Sequence, residues 1–157
     1  MAKINLNKSG FFAVLLLFAS CDRSKVFDLY QDVDPGGWSS SEALEFEVEI
    51  DAQEGVLFNY LIGLRNNNDY LYANIFFFVD VESPDGERQT DTLQYLLAEP
   101  GGKWLGSGVS EIKYNLFKFK EEQTMQSGVY KFSIAHGMRD DLLLGIEDVG
   151  LRLEESN

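Results

Sequence analysis

The chain has 157 residues, with 13 Lys plus Arg against 26 Asp plus Glu, for a formal charge of −13. A surface this acidic repels phosphate backbones and anionic lipid headgroups, which sets aside nucleic-acid binding and electrostatic docking on a bilayer. The single cysteine excludes an internal disulfide, and the length suits one domain with a real core.

Phe11 to Ala19 is an unbroken apolar run of nine residues, preceded by Lys3 and Lys8 and followed by Ser20 and Cys21. A basic start, a short apolar stretch and small residues before a cut make a secretory signal. Such a run gives a helix of about 14 Å, against a hydrocarbon core of roughly 30 Å, so it enters a translocon but does not stay as a span. Cys21 directly after Ala19-Ser20 resembles a bacterial lipobox, with Phe18 where an aliphatic residue is usual. That resemblance implies cleavage before Cys21 and acylation of its thiol and new amino group. The alternative is an ordinary cleaved signal with a cysteine nearby. Cleavage leaves 137 residues, and the loss of Lys3 and Lys8 lowers the bases from 13 to 11 against the same 26 acids, a charge of −15. Burial of acyl chain contributes about 0.8 kcal/mol per CH₂, so several chains on one cysteine make a lasting membrane anchor.

The expected organisation is a signal peptide over 1–20, a lipidated N-terminus with a tether and a first short strand over 21–41, and a β-sandwich over 42–157. Val26–Tyr30 is strand-like. Asp34-Pro-Gly-Gly37 and Ser39 to Ser41 mark a loop, and Trp38 plugs the core edge. Leu44 to Ile50 alternates apolar and acidic residues, the period of a strand with one buried face, and puts Glu45, Glu47 and Glu49 in solvent. Val56 to Leu64 is a second clear strand, and Arg65 to Asp69 a turn cluster. Tyr70 to Glu82 is the most apolar segment and is expected to be covered on both faces. Ser83-Pro-Asp-Gly86 is a hairpin signal, with Arg88 to Ala98 returning beside it. Lys103 to Gly108 is a loop. Val109 to Lys120 alternates, with a bulge bringing in Phe117 and Phe119. Glu121 to Ser127 is polar, Gly128 to His136 is a strand, Gly137 to Gly145 a connecting loop, and Gly145 to Leu153 the closing strand. Seven to nine strands without a convincing helix predict an all-β, single antiparallel β-sandwich. Hairpins joined by longer crossing loops make it jelly-roll-like.

No residue pattern carries catalysis. His136 is the only histidine, and no serine sits in a Gly-x-Ser-x-Gly elbow. Zinc needs several His or Cys ligands, which are missing. Asp32-Val-Asp34-Pro-Gly36 has the look of a calcium loop, but the acidic twelfth position of an EF-hand falls on Ala43. No catalytic residue, metal or cofactor is therefore assigned. Candidate partner- or ligand-binding residues are Arg65, Tyr70, Tyr72, Asn74, Trp104 and Arg139, polar or aromatic positions near loops. Aromatic planes and guanidinium forks suit sugars or protein partners. The plainer alternative makes the aromatics core and pairs the arginines with acids such as Asp69 or Asp140.

Leu64-Arg-Asn-Asn67, Asp69-Tyr-Leu-Tyr-Ala-Asn-Ile75, Asp91-Thr-Leu-Gln-Tyr95, Gly102-Lys-Trp-Leu-Gly-Ser-Gly108 and Leu144-Gly-Ile-Glu-Asp-Val-Gly-Leu-Arg152 resemble, in this order, the gliding motility lipoprotein GldH family of the Bacteroidetes. The likeness runs from about Val26 to Leu153. It implies an outer-membrane-associated lipoprotein needed for surface gliding and linked to secretion of motility adhesins. Cys21 is then the lipid-bearing residue. Gly106, Gly108, Gly145 and Gly150 read as backbone requirements. Surface-exposed lipoproteins of that phylum resemble one another in an acidic cluster after the cysteine. Asp22-Arg-Ser-Lys25 departs from it, which implies a periplasm-facing protein. The expected function is a non-enzymatic, lipid-anchored accessory or scaffold part of the gliding and secretion apparatus, with envelope proteins as partners. The alternative is a carbohydrate-binding jelly roll that catches polysaccharide on Trp104, Tyr70 or Tyr72.

Overall fold

A computed structural model describes residues 24–156; the signal peptide and Cys21 lie outside that range. Ten strands follow in order: β1 (Lys25–Asp32), β2 (Trp38–Ser39), β3 (Leu44–Ile50), β4 (Leu57–Asn66), β5 (Asn74–Glu82), β6 (Arg88–Leu96), β7 (Lys113–Thr124), β8 (Gly128–His136), β9 (Leu142–Leu143) and β10 (Ile146–Glu155). There is no helix among the described residues.

The strands form two four-stranded antiparallel sheets, ordered β1-β10-β4-β7 and β3-β8-β5-β6, and a short two-stranded pair, β2-β9. The pairing is nested. The β5–β6 hairpin is innermost, then β4–β7, β3–β8, β2–β9 and β1–β10. One long ribbon has been doubled back and rolled up, which is the jelly-roll topology.

Period-two patterning explains the sheets. β3 alternates buried Leu44, Phe46, Val48 and Ile50 with exposed glutamates, as its sequence requires. The core gathers these with Ile62 and Leu64 of β4, Ile75, Phe77 and Val79 of β5, Phe132 and Ile134 of β8, and Val149, Leu151 and Leu153 of β10. The Ser83-Pro84-Asp85-Gly86 turn closes β5 on β6, with the Gly86 N–H donating to the Ser83 carbonyl at 2.8 Å and Gly86 at φ +86°. Opposite β4, β7 slips register around Tyr60, leaving Phe119 as the extra residue, and both Phe117 and Phe119 pack on the core.

Four expectations are corrected. The first strand is not a short patch over Val26–Tyr30: from Lys25 to Asp32 the chain is a full edge strand, paired with β10. The β5 segment is not covered twice. No third layer lies over its outer face, so Phe76 is half-buried and Phe78 is 46% exposed. The polar stretch after Lys120 continues β7 to Thr124, and the loop before Gly145 contains β9, which pairs with Trp38-Ser39 and buries Leu143.

The roll has two distinct ends. The terminal end carries the start of β1, the end of β10 and the loops 51–56, 83–87 and 125–127. There the Glu155 N–H donates to the Ser24 carbonyl at 2.8 Å and the Ser156 N–H to that of Leu57 at 2.7 Å. The distal end carries the loops around residues 33–43, 67–73, 97–112 and 137–145. They are tied by Asn67 N–H to Gly145 carbonyl at 2.9 Å and Leu97 N–H to Ala73 carbonyl at 2.7 Å.

Candidate functional site

All six candidate residues of the described chain fall at the distal end, but on two different faces. Tyr72, Asn74 and Arg139 line one shallow pocket of about 480 Å³ with Phe76, Gly137, Met138 and Asp140. It opens on the outer face of the β3-β8-β5-β6 sheet. The Tyr72 hydroxyl donates to an Asp140 carboxylate oxygen, which holds the phenol above its ordinary pKa. Arg139 is exposed and has no ion pair among the described residues.

Tyr70 and Trp104 stand behind this pocket. Tyr70 is buried, donates from its hydroxyl to the Asn74 carbonyl at 2.7 Å, and meets Tyr72 edge-on at 5.8 Å and Trp104 at 6.5 Å between ring centroids. Trp104 is half-buried against the core, its backbone bridged to Ala98. Tyr70 meets Tyr72 at 72° and Trp104 at 47°, and Tyr70 is itself buried, so the three rings do not form the flat exposed row that stacking on sugar requires.

Arg65 lies on the outer face of the other sheet, where three cross-strand rows are in register. They are Asp32–Asp148–Arg65–Tyr114, Tyr30–Gly150–Gly63–Leu116 and Asp28–Arg152–Leu61–Lys118. The Arg65 Nε–H donates to Asp148 Oδ1 at 2.8 Å, and a second nitrogen contacts Oδ2. Arg65 therefore pairs with neither Asp69 nor Asp140. The Asp148 side chain is only 4% exposed. Burial pushes its carboxyl above the usual range, and Arg65 pulls it back. In the middle row the Tyr30 ring lies over the paired glycines. A Cβ on Gly63 would stand 1.9 Å from the Tyr30 oxygen, and one on Gly150 2.6 Å from the ring. The Tyr30 hydroxyl hydrogen-bonds Tyr114 at 3.2 Å, and the Arg65 guanidinium sits 5.4 Å over its ring.

Gly150 is thus required for space, not for its backbone angles. Gly106 is similar, since a Cβ there would meet Asn115 Oδ1 at 2.7 Å and the Tyr114 carbonyl oxygen at 2.9 Å. Gly108 and Gly145 do have positive φ, +141° and +79°. The sequence reading missed Tyr30 and Asp148. The available signal was that Gly63 and Gly150 each interrupt an apolar strand.

His136 is buried and hydrogen-bonds the Trp38 carbonyl through Nε2 at 3.0 Å. A carbonyl only accepts, so Nε2 carries the hydrogen and Nδ1 is left with a lone pair and no partner. Burial lowers the pKa of this ring. Asp34 Oδ1 accepts the Gly36 N–H at 2.7 Å, so the calcium-like segment closes on itself as a turn. Among the described residues no group of three or more His, Cys, Asp or Glu side chains is placed to hold a metal.

A protein-family model described as GldH lipoprotein matches residues 25–153. The chain is 36% identical over 156 residues to the gliding motility lipoprotein GldH homolog of Christiangramia forsetii, covering 94% of each chain. It is 34% identical over 152 residues to the gliding motility lipoprotein GldH of Flavobacterium johnsoniae, covering 92% of this chain and 93% of that one. A solved fructofuranosidase of Schwanniomyces occidentalis aligns with 84% of this chain and 34% of its own, at 10% identity and a TM-score of 0.34. A likeness at that level bears on neither fold nor function.

Proposed function

Because this chain belongs to the GldH lipoprotein family, we propose that it is a non-enzymatic accessory component of the bacterial gliding machinery and of the secretion associated with it. As a member of that family it is a membrane-anchored lipoprotein of the cell envelope, associated with motility. The observation that carries the reading is the extent of the match, residues 25–153, which runs from the first strand into the last.

In mechanism, Cys21 carries the lipid and holds the roll by its terminal end. Cys21 lies four residues before Lys25, and at about 3.3–3.6 Å per residue that link spans at most about 14 Å. The body therefore sits close to the bilayer, with the distal loops turned away. Asp22-Arg-Ser-Lys25 has one acid and two bases, which supports the periplasmic side of an outer membrane. The distal loops, with Tyr72, Asn74 and Arg139 at their pocket, then meet envelope proteins of the motility apparatus. The test is Cys21→Ala followed by fractionation and affinity capture. The variant should leave the membrane fraction with its β-sheet spectrum intact, and gliding should fail. A variant that stays in membranes sinks the anchor, and normal gliding by cells lacking the protein sinks the motility role.

A further inference from the structure

Most exposed large apolar side chains among the described residues cluster at the distal end. Leu71, Leu96, Leu105, Val109, Leu142 and Leu144 are all there, and Leu71 is 82% exposed. The terminal end shows only Val26 and Val129 of this kind. Scattered surface leucines need no explanation, but a concentration on one end of a domain does.

Close backbone packing sets the positions of Leu71, Leu142 and Leu144. Leu71 and Leu144 share the wall of a depression of about 470 Å³ with Pro35, and Asp34, Asp69 and Glu147 also line it. Gly145, beside Leu144, is pressed so closely on Tyr70, beside Leu71, that a Cβ would stand 2.1 Å from the Tyr70 nitrogen. Leu142 and Leu144 close over Gly37, with their side chains 2.8 and 3.1 Å from where its Cβ would be. Side chains carried on backbone packed this closely have less freedom to lose on binding.

The charge of the loops selects the occupant. Residues 33–43, 67–73, 97–112 and 137–145 hold Asp34, Glu42, Asp69, Glu99, Glu111, Asp140 and Asp141, seven acids, against Lys103 and Arg139, two bases, a net charge of −5. That charge repels anionic lipid and a second copy of the same end. It complements a cationic rim, and aliphatic walls beside carboxylates accommodate the stem and head of lysine or arginine. We infer that the distal end is a protein-docking surface, and that its partner presents an apolar ridge edged by Lys or Arg. The inference rests on the membrane-anchored accessory reading, in which the distal loops meet the partner, and adds to it which side chains bind and what chemistry they take.

The test uses the full lipidated chain in its own cells. A photo-crosslinking residue is placed at Val109 or Leu142, and for comparison at Val26 or Val129. Cross-links from the distal positions should map to one protein, on a segment where Lys or Arg borders apolar residues. Leu71→Ser with Leu144→Ser should reduce their yield about tenfold, a loss of about 1.4 kcal/mol, while the circular dichroism spectrum stays that of the parent. Val26→Ser with Val129→Ser should leave the yield unchanged. Distal cross-links to lipid, to a second copy of the chain or to an acidic segment overturn the inference. Cross-links to motility proteins from Val26 or Val129 alone overturn it too, but leave the accessory reading standing. If no position cross-links to any protein, both fall.

Discussion

Gly63 and Gly150 are register partners on β4 and β10, and the space left by their missing side chains is filled by the ring of Tyr30 from the next strand. Glycine in a strand interior is otherwise a liability, and a covering aromatic ring offsets it. Gly150→Ala should cost about 1–3 kcal/mol in urea unfolding, because the ring is pinned by Tyr114 and Arg65 and cannot lift freely. In a Tyr30→Ala background the same change should be close to neutral. Equal costs in the two backgrounds would show that the ring is not what the glycines accommodate.

Arg65 and Asp148 form a lopsided pair, since the Arg65 side chain is 45% exposed and that of Asp148 only 4%. Arg65→Ala leaves a buried carboxylate without its counter-charge, and Asp32 and Glu147 nearby worsen it. The expected loss at neutral pH is about 2–4 kcal/mol, below the range for fully buried pairs at its upper end because the guanidinium is half in water. The loss should shrink on acidification. Asp148 already has a raised folded pKa, and removing Arg65 raises it further. Such a group contributes stability that is fully present below its unfolded pKa and is lost as pH rises through its folded pKa. A gap between variant and parent that is the same at pH 7.5 and near the unfolded carboxylate pKa of about 3.9 would contradict this.

Gly145→Ala should be far more damaging than Gly55→Ala or Gly86→Ala. All three glycines have positive φ, but only at Gly145 does a Cβ meet backbone, with nothing within 4 Å at the other two. Roughly 1 kcal/mol is expected at Gly55 and Gly86, and 3 kcal/mol or more at Gly145, where Tyr70 cannot move aside. Comparable midpoints for the three variants would mean that the distal crossing is soft.

His136 sets a pH limit. The folded state holds the ring neutral, with its pKa lowered by burial and only partly restored by the Trp38 carbonyl and the charge of Asp140. The unfolded ring takes a proton near pH 6.5. Stability is therefore complete above about pH 6.5 and declines below it, by up to roughly 1.4 kcal/mol at pH 5.5. Thermal melts between pH 7.5 and 5.5 should show this slope, and His136→Gln should flatten it. His136 is the chain's only histidine, so a slope that survives the substitution would rule it out as the source.

Strand identity was legible wherever period two was clean. β3 and β8 have the bounds that their alternation predicts, and the nested order follows from hairpins closed by longer crossings. β1 was hard to read as a full strand because an edge strand buries little: Phe27 and Tyr30 are half-buried, and Leu29 and Asp28 exposed. The apolar run Phe76-Phe77-Phe78 misled for a related reason, since composition reports how apolar a strand is and not whether anything covers it. At the candidate site, nearness to loops grouped six residues, and three of them, Tyr72, Asn74 and Arg139, line one pocket. Arg65 separated from them because the turn after β4 carries the chain from one sheet to the other. Pairing of residues 65 and 148 on neighbouring strands of one sheet is a property of topology, and no local pattern encodes it.

β10 lies second in its sheet, between β1 and β4, and is the only strand that β1 touches in that sheet. The first strand made is thus an orphan until Ile146–Glu155 has been delivered. A chain that emerges through a membrane from its amino end has no way to lock its outer sheet while it is still threading. Only the β5–β6 hairpin can close early, and the rest must wait for contacts between distant residues, which form slowly. The same arrangement makes loss of the final strand more than a local defect. It would also unfasten β1, which has no other partner in its sheet, and leave the amino-terminal strand unpaired.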